Sequence, residues 1–259
     1  MKAAERIAYY ASRFGIVEVN STERFPATPD LARQWVDRTP DGFVFDVLGW
    51  ALLTHRAALP DSLFADLQEH VRIDLRDRQR RYAHHLPNDI FDECARRFGH
   101  ALLPLHDAGK LGTVVLRYPR WYRPSQRSMR QIVHLRQQLE GLPISVELHN
   151  HRWFEGEQCE TTFSLLEEAN IGFVCQDWRF EQKSAPAVVA ATTGTAVVRM
   201  RGDAAQWGYR YTKNELLPWV DRVATLADSC DEVHVLFDTC HRDAAVGNAE
   251  LFVSLLLKA

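Results

Sequence analysis

The sequence predicts an α/β protein of the TIM (β/α) barrel class, and three observations carry that prediction. Seven short runs rich in Val, Ile and Phe alternate with segments of helical periodicity. Each run is almost continuously apolar, as is typical of strands buried on both faces of a parallel sheet. The chain has 259 residues, a length at which such barrels form one domain. We therefore predict a single barrel domain over residues 1–259.

The first half of the chain opens with a predicted helix that Gly15 ends. A second helix is capped by Asp30, and the turn Thr39-Pro40-Asp41-Gly42 follows it. A charged helical region is predicted from about Leu63 to His106, and its segment Arg72 to Arg81 is interpreted as a solvated face. The helices of this half are predicted at Ala3 to Phe14 and Asp30 to Arg38, and the strands at Ile16 to Asn20, Phe43 to Val47 and Thr113 to Tyr118.

The second half continues the same alternation. Its first helix starts at Ser125 or Ser128 and runs to Glu140. The later helices are predicted at Thr161 to Asn170, Lys213 to Ser229 and His241 to Leu257. One strand is predicted to open the stretch from Ile144 to Trp153, and the others are predicted at Ile171 to Asp177, Ala196 to Gly202 and Glu232 to Asp238.

Polar residues gather where the predicted strands end. The stretch from Ile144 to Trp153 is the densest case, because an apolar run breaks into a carboxylate, two His, an Asn, an Arg and a Trp. Barrel enzymes place their sites at the carboxyl ends of the strands. We therefore expect a site there. Its candidate members by position are Glu18, Asn20, Glu147, His149, Asn150, Asp177, Arg199, Arg201 and Asp238.

Composition and the lack of certain motifs disfavour several classes of protein. The net charge of −3 disfavours a protein that coats nucleic acid. The five cysteines are scattered and form no Cys-x-x-Cys pair, which favours reduced thiols in the cytoplasm over a disulfide framework. The apolar run from Leu251 to Leu257 is too short to cross a bilayer, which takes about 20 residues. No phosphate-binding glycine motif or nucleophile-elbow motif is present, so we predict no cofactor.

Several motifs resemble the YecE-like family, a set of uncharacterised TIM-barrel proteins classed by domain of unknown function 72. The matching residues, which keep their order along nearly the whole chain, are Val17 to Thr22 with Pro26, Trp35 with Thr39 to Phe45, Thr54-His55, Leu111-Gly112 with Pro119, Val146-Glu147 with Trp153, Arg199 with Gly202, Tyr209 and Tyr211 with Glu215-Leu216, and Asn248-Ala249. The resemblance implies the barrel fold and brings no established activity.

The chain departs from the family pattern at several polar positions. These departures are Glu23-Arg24, Leu48, Arg117, Arg120, His149-Asn150, Arg201 and Asp238-Thr239. The family also normally has a Gly-Trp strand before the first helix. We therefore expect seven strands here, with the first barrel strand missing. Either the true start lies upstream of Met1, which we favour, or the gap is closed by direct pairing or by a partner chain.

Two carboxylates, Glu18 and Glu147, are the main catalytic candidates, since acid–base work needs two groups whose environments separate their pKa values. The alternative is that one of them pairs with Arg199 and only holds the strands together. The candidate catalytic residues are Glu18, Glu147, Asp177 and His55. The candidate substrate-binding residues are Asn20, Arg117, His149, Asn150, Trp153, Arg199, Arg201 and Tyr211.

A metal site would draw on His55, Glu147, His149, Asp177 or His241. No ligand spacing in the sequence supports one, so we predict none.

The run from Arg117 to Arg130 contains five Arg, three aromatic residues and no acid. Guanidinium groups bind phosphates and aromatic rings stack on bases or sugars, although a solvated loop is the simpler alternative. Three functions remain open: an enzyme for a phosphorylated or sugar-like substrate, a polyanion or nucleic-acid binding module, which we do not favour, or a degenerate protein without activity. No membrane partner is expected, and the oligomeric state stays open.

Overall fold

The computed structural model describes residues 3–71, 80–177, 187–203, 208–239 and 241–258. Within these ranges seven strands follow one another in a single sheet of order β1 to β7, with helices between them. The strands are β1 (Ile16–Val19), β2 (Val44–Leu48), β3 (Leu111–Tyr118), β4 (Ile144–Leu148), β5 (Gly172–Asp177), β6 (Thr195–Met200) and β7 (Glu232–Phe237). This parallel α/β arrangement of the TIM-barrel type confirms the predicted fold class.

Seven α-helices lie in the described ranges. They are α1 (Ala3–Ala11), α2 (Pro29–Asp37), α3 (Asn88–Asp107), α4 (Gln126–Gln138), α5 (Glu157–Glu168), α6 (Lys213–Ala227) and α7 (Ala244–Leu256). The chain divides into two compact units, residues 1–146 and 147–259, and each unit is described by itself below. That the whole chain is one domain stays a prediction.

The first unit is built on the parallel pairs β1–β2 and β2–β3. Helix α2 is capped by Thr28 and not by the expected Asp30, since Thr28 Oγ1 accepts a hydrogen bond from the Leu31 N–H at 3.2 Å and Asp30 lies in the first turn. Its buried Trp35 stacks on Phe45 of β2, with ring centroids 6.1 Å apart. The helix ends against Lys110, whose Nζ donates to the carbonyl oxygens of Val36 at 3.0 Å and Thr39 at 2.8 Å. A buried cation thus satisfies the carbonyls and complements the helix dipole.

The expectation of a continuous charged helix in this unit is wrong. The charged region from Leu63 to His106 is not continuously helical: among its described residues α3 is the α-helix, and residues 65–70 and 83–85 form short 3₁₀ turns. Arg81 instead exchanges two 2.8 Å backbone hydrogen bonds with Ala58 in an antiparallel bridge. That bridge holds the backbone extended, and Pro87 disfavours helical backbone at the residue before it. The remainder of the predicted face, residues 72–79, lies outside the described residues.

The second unit pairs β5 with β6 and β6 with β7, again in parallel. The register places Gln176 of β5, Arg199 of β6 and Leu236 of β7 at one level. Register partners in a sheet project to the same face, so the residues of this level form one row. Helix α6 starts with a capping box in which Thr212 and Glu215 bond each other's backbone N–H groups.

No helix within the described residues is long and apolar enough to span a bilayer. Cys94, Cys159, Cys175 and Cys230 are free thiols. Burial raises the pKa of the Cys94 thiol to about 12 and that of Cys175 to about 11, so both thiols stay protonated and unreactive near neutral pH.

Candidate active site at the ends of strands β4, β6 and β7

The centre of the candidate site is a buried ion pair between Glu147, on β4, and Arg199, on β6. The Nε of Arg199 donates to Oε2 of Glu147 at 2.7 Å, and both side chains are fully removed from solvent. A buried charge is tolerated only when it is paired and hydrogen-bonded. The ion pair therefore links β4 to β6, and separating it would leave an unpaired charge buried on either residue.

His149 completes the other side of this carboxylate. Its Nε2 lies 2.6 Å from Oε1 of Glu147, and its side chain keeps 11% of its surface exposed where Glu147 keeps none. Strand β4 ends at Leu148, so His149 is the first residue beyond the strand. The glutamate therefore holds an arginine through one oxygen and an imidazole through the other.

The charged cluster extends toward solvent through Asp238, just past β7. Its Oδ2 lies 3.2 Å from a terminal nitrogen of Arg201 and 4.0 Å from one of Arg199. Arg201 and Asp238 are 25% and 18% exposed. The backbone N–H of Asp238 also donates to the Met200 carbonyl at 2.9 Å. Charge thus alternates from Glu147 through Arg199 and Asp238 to Arg201, and exposure increases along that order.

Gln176 is a member of this site that the sequence analysis missed. It is 97% buried, and it is level with Arg199 in the register. Its Nε2 donates to the Leu148 carbonyl at 3.3 Å, which fixes the orientation of the amide. Its Oε1 is buried and has no hydrogen-bond partner among the described residues. The sequence did indicate Gln176, because it is a single polar residue inside an apolar strand. It directly precedes Asp177, which was chosen as the candidate instead.

Asp177 and Tyr211 are brought together as a second buried pair. The Tyr211 hydroxyl donates to Oδ2 of Asp177 at 2.5 Å, and both side chains are at most 4% exposed. The Tyr211 N–H donates to Oδ1 of Asn248 at 3.0 Å, and the Asn248 amide donates to the Tyr209 carbonyl at 2.8 Å. This chain of bonds fastens residues 209–211 to β5 and α7, which favours a structural role for Asp177.

Asn150 and Trp153 follow His149 in a short 3₁₀ turn. Oδ1 of Asn150 accepts from the Arg152 N–H at 3.1 Å, so the asparagine caps the turn. Trp153 is fully buried, and its carbonyl accepts from Thr162 at 2.9 Å. Burial and capping favour packing roles over substrate contact for these two candidates.

The remaining candidates lie in the first unit. Glu18 is level with Asp46, and Asp46 is level with Thr113. Asp46 is fully buried and accepts from the Thr113 N–H at 3.1 Å. Asn20 is exposed, and its carbonyl accepts from the Glu23 N–H at 3.3 Å. The structure therefore places a second acidic position, Asp46, beside Glu18.

Arg117 and Arg56 converge on one acid in this unit. Arg56 forms an ion pair with Oε1 of Glu23, and Arg117 lies 3.8 Å from the same oxygen. Arg117 is only 11% exposed on its side chain. The predicted substrate-binding arginine is thus turned inward, and Glu23 and Arg56 were not among the candidates.

His55 is held by stacking. Its backbone is in the left-handed region at φ 59°, and its ring lies on Tyr122 with centroids 5.3 Å apart. Burial, the nearby charge of Arg127 and the proximity of His84 lower the pKa of His55 to about 4. The imidazole is therefore neutral at pH 7 and suited to accept or donate one hydrogen bond.

No group of three or more His, Cys, Asp or Glu side chains within the described ranges has an arrangement that could hold a metal ion. His241 is exposed.

The fold defines a TIM-barrel-type α/β protein, and its candidate site is a cluster of carboxylates, arginines and a histidine at strand ends. The chain belongs to the family described as "Protein of unknown function DUF72", whose model matches residues 1–259. The resemblance to the YecE-like family is thereby confirmed, since that is the same family.

Among curated proteins, the chain is similar to the UPF0759 protein YunF of Bacillus subtilis (strain 168). The two are 24% identical over 269 residues, which cover 97% of this chain and 86% of YunF. Among solved structures, it is similar to a DUF72 family protein from Enterococcus faecalis V583, with a TM-score of 0.81, 18% identity and coverage of 98% and 94% of the two chains. A DUF72 family protein from Thermotoga maritima MSB8 matches with a TM-score of 0.75, 21% identity and coverage of 99% and 91%. At these identities the two structural matches support the fold alone.

Proposed function

We propose that this protein is an enzyme in which His149, oriented by Glu147, moves a proton to or from a small polar substrate. The observation that carries the proposal is the 2.6 Å contact between His149 Nε2 and Glu147 Oε1. A carboxylate behind an imidazole fixes the ring and its tautomer and stabilises the imidazolium ion, which is how general-base histidines are supported.

The structure supports different roles for the two residues. Both oxygens of Glu147 are engaged, by Arg199 and His149, and its side chain has no exposed surface. A direct acid–base role for Glu147 stays a prediction, and the geometry favours it as a positioning residue. His149 is the member of the pair with exposed surface, so it is the group that a substrate can reach.

The tautomer of His149 determines which of its ring nitrogens transfers the proton. When Nε2 carries the hydrogen that is donated to Glu147, Nδ1 is the basic nitrogen of the neutral ring. Nδ1 then takes a proton from an acidic O–H or C–H of the substrate, and the resulting imidazolium remains paired with Glu147. The same nitrogen returns the proton to the product. Because the carboxylate is also paired with Arg199, it orients the imidazole without becoming the proton's destination.

The neighbouring groups support a phosphorylated or polyhydroxylated substrate. Arg201, 25% exposed on its side chain, offers a guanidinium that binds phosphate or carboxylate oxygens in a bidentate manner. The buried acceptor Oε1 of Gln176, which lacks a partner among the described residues, calls for a hydrogen-bond donor such as a hydroxyl group. A sugar or polyol phosphate carries both kinds of group.

A ligand screen followed by a turnover assay tests this function. Purified protein is heated with a panel of sugar phosphates, polyols and hydroxy acids, since a ligand at 100 times its Kd stabilises by about 2.7 kcal/mol. Compounds that raise the Tm are then incubated with enzyme and followed by NMR for conversion or for exchange of carbon-bound hydrogen with D₂O. We expect His149→Gln to lower turnover by about 10²- to 10⁴-fold while the ligand still raises the Tm.

His151 provides a matched control, because its Nδ1 also lies 2.6 Å from a glutamate, Glu155 Oε1, but on an exposed surface. His151→Gln should leave turnover unchanged. Conversion that survives in His149→Gln, or that falls equally in both variants, would exclude His149 as the proton-transfer group.

A further inference from the structure

The arginine-rich segment between β3 and the second turn of α4 takes no part in the proposed reaction. It comprises residues 119–130, and we call it the arginine loop. We propose that the arginine loop is a contact surface for single-stranded nucleic acid. It lies wholly in the first unit, so this proposal does not depend on the function proposed for His149.

The loop is held in one conformation by its own hydrogen bonds. The Tyr122 N–H donates to the Pro119 carbonyl at 2.9 Å, and the Tyr122 hydroxyl donates to the Ser128 carbonyl at 2.9 Å. Ser125 caps α4 by accepting from the Ser128 N–H at 3.1 Å, and the Ser128 hydroxyl donates to the Arg123 carbonyl at 2.8 Å. Burial raises the pKa of Tyr122 above its ordinary value, so its hydroxyl remains a donor. A surface organised in advance loses little entropy on binding.

Three arginines of this loop present positive charge to solvent. Arg123, Arg127 and Arg130 are exposed, and none of them forms an ion pair with a carboxylate in the part of the chain that the structure describes. The first turn of α4 contains no acidic residue. Arg127 and Arg130 are three residues apart on a helix, so they are neighbours on its surface. Phosphate groups would meet a continuous cationic surface there.

An exposed aromatic ring accompanies these arginines. Trp121 is 62% exposed, and it contacts the buried Tyr122 edge to face with ring centroids 6.2 Å apart. A large apolar side chain left in water beside guanidinium groups is the combination that binds single strands, because bases stack on the ring and phosphates pair with the arginines. A duplex hides the faces of its bases, and an anionic lipid surface offers no planar ring, so a single strand fits this surface best.

Fluorescence anisotropy of a labelled 20-nucleotide oligothymidylate tests the proposal on the full-length protein. We expect saturable binding at low salt, with a slope of log K against log salt near −2, about −0.7 for each of three arginines. Arg123→Gln with Arg127→Gln should flatten that slope by about 1.4. Trp121→Ala should weaken binding about 5- to 150-fold with the slope unchanged.

Controls separate this surface from general charge effects. Arg33→Gln with Arg38→Gln removes the same charge from exposed positions of the first unit and should leave affinity and slope unchanged. Near-ultraviolet fluorescence of each variant confirms that it is folded. The proposal is overturned if the oligonucleotide does not bind at low salt or if both double variants weaken binding equally. It is also overturned if Trp121→Ala binds as well as the unaltered protein while heparin competes fully, which would identify a surface for polyanions without bases.

Discussion

Arg199 and Glu147 form an ion pair from which solvent is fully excluded, with Nε of the arginine 2.7 Å from Oε2 of the glutamate. Removing one partner of such a pair leaves the other charge buried. We therefore expect Glu147→Gln to lower the free energy of unfolding by about 3–5 kcal/mol, as measured by urea denaturation. Replacement of both residues by methionine should cost much less, because no charge is then left without its partner.

A surface ion pair supplies the comparison. Arg33 and Asp30 are 2.5 Å apart but largely exposed, and Arg33→Gln should change stability by less than about 1 kcal/mol. If Glu147→Gln costs no more than this surface change, the pair is not buried as the structure shows.

His55 makes stability depend on pH. The pKa of His55 is about 4 in the folded protein, whereas its ordinary value is 6.5. Between about pH 4 and pH 6.5 the unfolded chain therefore binds more protons than the folded protein. The free energy of unfolding should therefore rise with pH across this window. The contribution is complete above about pH 6.5 and is lost as pH falls toward 4, with an upper limit of roughly 3 kcal/mol. Urea denaturation at pH 4.5 and pH 7 measures it.

His55→Asn is the test variant, since asparagine tolerates the left-handed backbone at this position. We expect the difference in stability between the two pH values to shrink in this variant. His106→Gln removes an exposed histidine and should leave the difference as it is. An unchanged pH dependence in His55→Asn would show that another group is responsible.

Gly202 combines a left-handed backbone with a close ring. Its φ is +64°, and an added Cβ would lie 2.3 Å from Cδ1 of Tyr209. Gly202→Ala should therefore destabilise by about 2–4 kcal/mol, through backbone strain and displacement of the ring. Gly141 has φ +82° and no atom within 4 Å of its would-be Cβ, so Gly141→Ala should cost only about 1 kcal/mol. Equal losses by thermal denaturation would contradict the predicted contact with Tyr209.

The bond from the Tyr211 hydroxyl to Asp177 should contribute to stability. Tyr211→Phe removes a donor from a buried carboxylate, and we expect a loss of about 1.5–3 kcal/mol. A double-mutant cycle with Asp177→Asn measures the coupling between the two side chains, which should exceed about 0.5 kcal/mol. Additive effects of the two substitutions would mean that the hydroxyl and the carboxylate do not interact.

The seven strands could be predicted from sequence because each is an apolar run with polar ends, a pattern that depends on neighbouring residues only. The backbone between Leu63 and Pro87 could not be predicted in this way. It depends on the bridge between Ala58 and Arg81, and these two residues are 23 positions apart in the sequence.

The site was predicted only in part, because the sequence shows where strands end but not which side chains meet. Strand ends indicated Glu147, His149 and Arg199, and pairing of a carboxylate with Arg199 was foreseen as the alternative to catalysis. Sequence does not show that one glutamate bonds both the arginine and the imidazole, because these contacts depend on the spacing and register of separate strands. The inward turn of Arg117 toward Glu23 was hidden in the same way, since they are 94 positions apart.

The orientation of His149 by Glu147 is tested most directly by the tautomer of its ring. Two-bond ¹H–¹⁵N correlation spectra of protein labelled at histidine, with His149 assigned by the loss of its signals in His149→Gln, distinguish hydrogen on Nε2 from hydrogen on Nδ1. We predict that neutral His149 carries its hydrogen almost entirely on Nε2, because this nitrogen contacts Glu147, and that the double replacement of Glu147 and Arg199 by methionine lowers the Nε2–H fraction toward that of a free imidazole in water. Hydrogen predominantly on Nδ1, or an Nε2–H fraction that the double replacement leaves unchanged, would contradict the account.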